Sequence, residues 1–133
     1  MVVLEHLQGI IRANGGDLSY GADSQLEGLL SSGAKVANRW VMVPSSVIVT
    51  NLELSEDLRT RTYALVGMWR SGFGKPEHTE AILERIETIV HEIETTGLPA
   101  DICALTLDPE TQIEWDGQAL TASQTVTTTT RRA

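Results

Sequence analysis

The sequence predicts one α+β domain: an antiparallel sheet of about four strands in the order β-β-α-β-β, one long amphipathic helix, and a further helix at the N-terminus. Three observations carry that expectation. Ile82, Ile86, Ile89, Val90 and Ile93 recur at steps of four, three, one and three, which places them on one narrow helical face. Leu58–Arg70 is rich in β-branched and aromatic residues and has two alternating apolar sets. Further apolar runs after residue 101 are separated by Asp108-Pro109 and by Asp116-Gly117, a dipeptide suited to a tight hairpin turn.

Taken in order, Val3, Leu4, Leu7, Ile10 and Ile11 form a helical stripe over residues 3–13, stopped by Asn14-Gly15-Gly16. Residues 15–39 carry a weaker signal. Ser24-Gln-Leu-Glu27 has capping-box spacing and is followed by Leu29 and Leu30, so a short helix over about 24–31 fits there. Gly28 and Gly33 weaken that helix, and the rest of the stretch reads as surface loop. Trp40–Val43 and Val47–Thr50 read as strand, with Pro44-Ser-Ser marking a bend, a bulge or an edge position.

In the strand at 58–70, one side carries Tyr63, Leu65, Gly67 and Trp69 and the other Thr62, Ala64, Val66 and Met68. Both sides are substantially apolar, which predicts cover on both faces. One helix covers only one face, so the chain points to a partner for the other. The long helix is expected over about 77–96, with Pro76 tolerated in its first turn, Glu77 and Glu80 complementing the dipole, and Gly97 and Pro99 supplying the stop. Ile102–Leu107 reads as a buried strand. Ile113–Trp115 and residues 118–130 flank the Asp116-Gly117 turn, and threonine favours the strand state of the latter. No internal repeat is visible.

The chain has 133 residues, of which 41% are apolar and 21% charged, with a net charge of −8. That length fits a single domain spanning residues 1–133. A nucleic-acid binder with a broad basic face is disfavoured, because phosphate contacts need clustered Lys and Arg. A basic membrane-surface helix is disfavoured for the same reason. The single cysteine, Cys103, cannot form an internal disulfide. No apolar run approaches the ~18–20 residues of a membrane span. The start lacks a basic n-region followed by an apolar block, so no secretory signal is expected.

Residues with catalytic potential are scattered. His6 and His78 fall on helices. His91-Glu92 resembles the start of a zincin motif, but Thr95 stands where the second ligand belongs, so all three histidines read as solvent-facing. Cys103, between Ile102 and Ala104, reads as a buried, inert thiol. Neither Ser31-Ser32 nor Ser45-Ser46 sits in a nucleophile elbow. Glu77, Glu80, Glu84, Glu87, Glu92 and Glu94 surround an apolar helix face and read as its solvated side rather than as acid–base pairs. Ser71-Gly-Phe-Gly-Lys75 precedes a helix and could hold an anion, but it lacks phosphate-loop spacing. Trp40, Trp69 and Trp115 suit either a core or a binding hot spot. No catalytic, cofactor-binding or metal-binding residue is assigned, and no enzymatic activity is expected.

The element order across Val2–Ala13, Trp40–Val49, Leu58–Arg70, Glu77–Thr96 and Ile102–Thr130 resembles the tail-terminator (tail-completion) proteins of long-tailed bacteriophages. The resemblance covers nearly the whole chain as a pattern, without a diagnostic short motif, and leaves residues 15–39 unmatched. It implies a structural virion protein that forms a ring, usually hexameric, assembled in the host cytoplasm. Such a ring caps the tail tube, ends its polymerisation and joins it to the head connector. Its partners would be further copies of itself, the tail-tube protein and the head–tail connector proteins. DNA would pass through the lumen without specific binding, because an acidic wall repels phosphates. No cofactor is implied. Tyr63, Leu65 and Trp69 are the candidates for the subunit-facing side, with the opposite face of the strand as the alternative. Arg131 and Arg132 either pair with an acidic partner surface or form a loose tip. Two other classes stay open: another neck, connector or tail-tube protein, and a small ligand-binding or enzymatic α+β domain.

Overall fold

In the computed structural model the described residues are 1–21, 37–50, 58–70, 75–115 and 119–131. They form α1 (Val2–Ala13), β1 (Asp17–Tyr20), β2 (Arg39–Thr50), β3 (Leu58–Trp69), α2 (Pro76–Thr95), β4 (Ile102–Leu107), β5 (Gln112–Trp115) and β6 (Leu120–Arg131). The two helices fall where their stripes put them. α1 ends because Gly15 adopts a φ of +79°, which lets the Gly15 and Gly16 amides return to the carbonyls of Arg12 and Ile11. α2 starts on Pro76, whose missing N–H costs nothing in a first turn.

The sheet corrects the expected fold class. Among the described residues it has six strands rather than four, and it is mixed rather than antiparallel. The strand order is β1-β2-β3-β6-β4, with β5 also paired to β6. β1 makes the difference. Four residues are too few to show an alternating pattern, and Asp17–Tyr20 gain their strand geometry from parallel pairing with Arg39–Met42 of β2. A parallel neighbour cannot be reached through a tight turn, and the intervening chain is long enough for a crossover. The expected helix over 24–31 lies outside the described residues. β5 pairs with Leu120–Ser123 and β4 with Val126–Thr130, so the two short strands lie end to end along one edge. The segments on either side of Pro44 form one strand, with a register shift between Pro44 and Ser46. The shift falls beyond the four residues paired to β1, where the proline removes no ladder donor on that side.

Both helices cover the same face. Val3, Leu7, Ile10 and Ile11 of α1 and Ile82, Ile86, Ile89 and Ile93 of α2 are buried against Leu18, Trp40, Met42, Tyr63, Leu65, Leu120, Ala122 and Val126. At full burial each large side chain contributes on the order of 2 kcal/mol of hydrophobic stabilisation. The opposite face is graded. Val41, Met68 and Ala119 form a small second cluster with Val43 and Val66 beside it. Farther along, the face turns to threonine, with hydroxyl contacts from Thr60 to Thr129 (3.2 Å) and from Thr62 to Thr127 (3.3 Å).

A buried polar chain ties the layers together. Trp40 Nε1 donates to Asn38 Oδ1 at 2.8 Å, and Asn38 Nδ2 donates to the Asn14 carbonyl at 3.0 Å. The Asn14 amide donates to the Ile10 carbonyl at 2.9 Å and to Glu92 Oε2 at 2.7 Å, reaching α2. Asn38 holds a left-handed φ of 56°, which asparagine tolerates better than most residues. Trp40 crosses the sheet directly opposite Gly67 and meets Trp69 edge-to-face, with ring centroids 5.6 Å apart.

Candidate functional site

The residues expected to face a neighbouring subunit lie inside this chain. Tyr63, Leu65 and Trp69 are 1%, 0% and 4% exposed, because their side of β3 is the side that α1 and α2 cover. A contact made through them would first have to displace both helices. The opposite set is more open, with Ala64 and Val66 half-buried, although Met68 is fully enclosed. Arg131 is exposed at the end of β6, and its amide donates to the Asp101 carbonyl at 3.5 Å. Arg132 lies outside the described residues, as do Ser71–Gly74 of the glycine-rich turn and the Asp116-Gly117 turn.

Two other expectations change. Cys103 is exposed, as are Ala104 and Thr106, because β4 is an edge strand covered only on the side of Ile102, Leu105 and Leu107. His78 and His91 are exposed as expected, but His6 is half-buried on α1. Its Nε2 is buried without a hydrogen-bond partner, and burial holds the imidazole below its ordinary value of 6.5.

An apolar groove of about 350 Å3 lies between α2 and β5. Leu83, Ile86 and Val90 form one wall and Ile113 with Thr111 the other, while Glu87, His91 and Glu94 stand on the rim. It exists because the apolar stripe of α2 is wider than the sheet beneath it. Val90, counted with the buried stripe from sequence, is only half-buried here, at the groove. The short β5 supplies Ile113, 42% exposed, and Trp115, 49% exposed, both on the helix side of the sheet. All four residues of β5 are exposed.

The loop between β4 and β5 is held by one buried amide. Gln124 Nε2 donates to the Asp108 carbonyl at 2.8 Å, and its Oε1 accepts from the Thr111 hydroxyl. Asp108 Oδ1 in turn accepts from the Glu110 amide at 3.0 Å. With its polar atoms satisfied, Gln124 stays 1% exposed and fixes Thr111 at the groove wall.

Charge is divided unevenly along the chain. Residues 76–117 hold eleven of the eighteen acids and one of the ten bases, Arg85. Glu77, Glu80, Glu84, Glu87 and Glu94 are exposed on α2. The ion pairs among the described residues lie elsewhere: the N-terminus with Glu5, and Arg12 and Arg39 with Asp17. Arg59 and Arg61 occupy the helix-side positions of β3 beyond Tyr63, the last buried residue of that strand on this side. Both are half-buried, neither has an ion-pair partner among the described residues, and the Arg61 Nε is buried without a hydrogen-bond partner.

No group of three His, Cys, Asp or Glu side chains among the described residues is placed to share a metal ion. No helix among them is long and apolar enough to cross a membrane. No protein-family model matches the chain, and no curated protein matches it.

Proposed function

We propose that the protein is a structural ring component of a long-tailed virion, of the tail-terminator type, which caps the tail tube and joins it to the head connector. The observation that carries this reading is the polarity of the fold. The sheet has two unlike edges, β1 on one side and β4 with β5 on the other, and the segment 76–117, which supplies α2 and the second edge, holds eleven of the eighteen acids. Surfaces that differ at opposite ends of a subunit favour head-to-tail contacts, which close into a ring when the rotation between copies allows it. The positions of the two helices support the same reading, although the six-stranded mixed sheet departs from the strand pairs of the tail-terminator pattern. A ring of this kind ends tube growth by occupying the terminal bonding surface without presenting a new one. An excess of carboxylates repels DNA phosphates, which suits a passage DNA crosses without adhering.

The reading is tested by locating a tagged copy, expressed during particle assembly, with gold label in electron micrographs. The expected result is one labelled position at the head-proximal end of the tail tube. Label spread along the tube identifies a tube subunit instead, and particles without label contradict the assignment.

A further inference from the structure

The groove between α2 and β5 has an apolar floor and an acidic rim, and within residues 76–117 only Arg85 offsets the acids. Arg59 and Arg61 have the complementary character. They alternate with threonines on β3, carry long apolar stems, and have no ion pair of their own among the described residues. An arginine stem covers apolar surface while its guanidinium reaches a carboxylate at the edge. Trp115, exposed on the same side of β5 as Ile113, adds an aromatic face of the kind guanidinium groups stack on.

We propose that Arg59 and Arg61 of one copy of this chain dock into the α2–β5 groove of a second copy, with their stems over Ile113 and Val90 and their guanidinium groups on Glu87 and Glu94. The two halves of the contact lie on different parts of the subunit, so it is heterologous and repeats from copy to copy. It rests on the ring reading and names the surfaces that would build the ring. Because the rim is exposed, its ion pairs are screened by salt, and assembly through them weakens as ionic strength rises.

The test is a charge exchange read by light scattering of the full chain at low and at physiological salt. Glu87→Arg with Glu94→Arg, and separately Arg59→Glu with Arg61→Glu, place like charges opposite each other. Each pair is expected to raise the concentration needed for assembly by at least about tenfold. All four substitutions on one chain restore opposite charges and return assembly to near the wild-type concentration. Circular dichroism and a thermal melt of each variant show that the subunit stays folded. Rings that persist in both double variants overturn this contact and leave the ring reading standing. A folded quadruple variant that fails to reassemble also overturns the pairing. A wild type that remains monomeric at about millimolar concentration overturns both, since a contact that weak supports no ring.

Discussion

Replacing Gly67 with alanine probes the packing on which the fold depends. Gly67 lies directly opposite Trp40, and a Cβ built on it would meet three indole atoms, Cε2, Cδ2 and Cζ2, at 2.6–2.7 Å. Carbon atoms in contact sit at about 3.5–4.0 Å, so the overlap approaches 1 Å. Neither partner can yield cheaply. The indole is pinned by its 2.8 Å hydrogen bond to Asn38 and by the edge of Trp69, and β3 is paired on both sides, to β2 and β6. The cost therefore falls toward the upper end of overpacking penalties, about 3 kcal/mol. In a chain of this size that lowers Tm by roughly 10 °C. Unfolding in urea, followed by tryptophan fluorescence and circular dichroism at a dilution that keeps the subunit monomeric, measures it. A second substitution, Trp40→Phe, shrinks the ring that the new methyl meets, so the penalty of Gly67→Ala is expected to be smaller in that background. A Gly67→Ala variant within 0.5 kcal/mol of wild type would refute the account of this contact.

Asn38→Ala removes the acceptor of the Trp40 indole N–H and the donor to the Asn14 carbonyl, and leaves at a φ of 56° a residue that tolerates it less well than asparagine. A loss of about 3 kcal/mol is expected in urea unfolding. Asn38→Gly, which relieves only the backbone part, should recover about a third of it. His6 is held below 6.5 by burial, so the folded protein binds its proton less readily than the unfolded chain. The stability this represents is complete above pH 6.5 and is lost as pH falls through the lower folded value. Thermal melts between pH 7 and pH 5 should accordingly fall less steeply for His6→Gln than for wild type, and parallel slopes contradict the assignment. Cys103, the single cysteine, is exposed. It should react fully with a thiol reagent in the native state, whereas a thiol that reacts only in denaturant indicates burial.

The parts of the fold legible in the sequence are those whose pattern is local. Ile82, Ile86, Ile89 and Ile93 announce α2 because a helix repeats its face every turn, and the alternation from Tyr63 to Trp69 announces β3. β1 was not legible. Asp17–Tyr20 have one buried residue, Leu18, and their conformation is imposed by β2, many residues away. That omission, with β5 standing as a separate short strand, is why the sheet was expected to be antiparallel and smaller. Alternation also fixes which residues share a face without saying which face the helices take. The pattern therefore groups Tyr63, Leu65 and Trp69 but leaves open whether they or the opposite face turn outward, and the helices cover the side of Tyr63. Cys103 sits in an apolar run, but β4 is an edge strand whose outer face is uncovered, which the run itself does not reveal. The groove was partly legible in the surplus width of the α2 stripe at Val90 and in the acids crowded into residues 76–117. What joins it to Ile113 is tertiary, since β5 reaches α2 only through its pairing with β6.

The central claim, a closed ring built from head-to-tail contacts, is tested most directly by the native mass of the purified chain as its concentration rises. The account predicts one discrete species near six copies of the 14.5 kDa subunit, roughly 87 kDa, which stops growing once formed. A mass that increases without limit, or a subunit that stays at 14.5 kDa throughout, contradicts it.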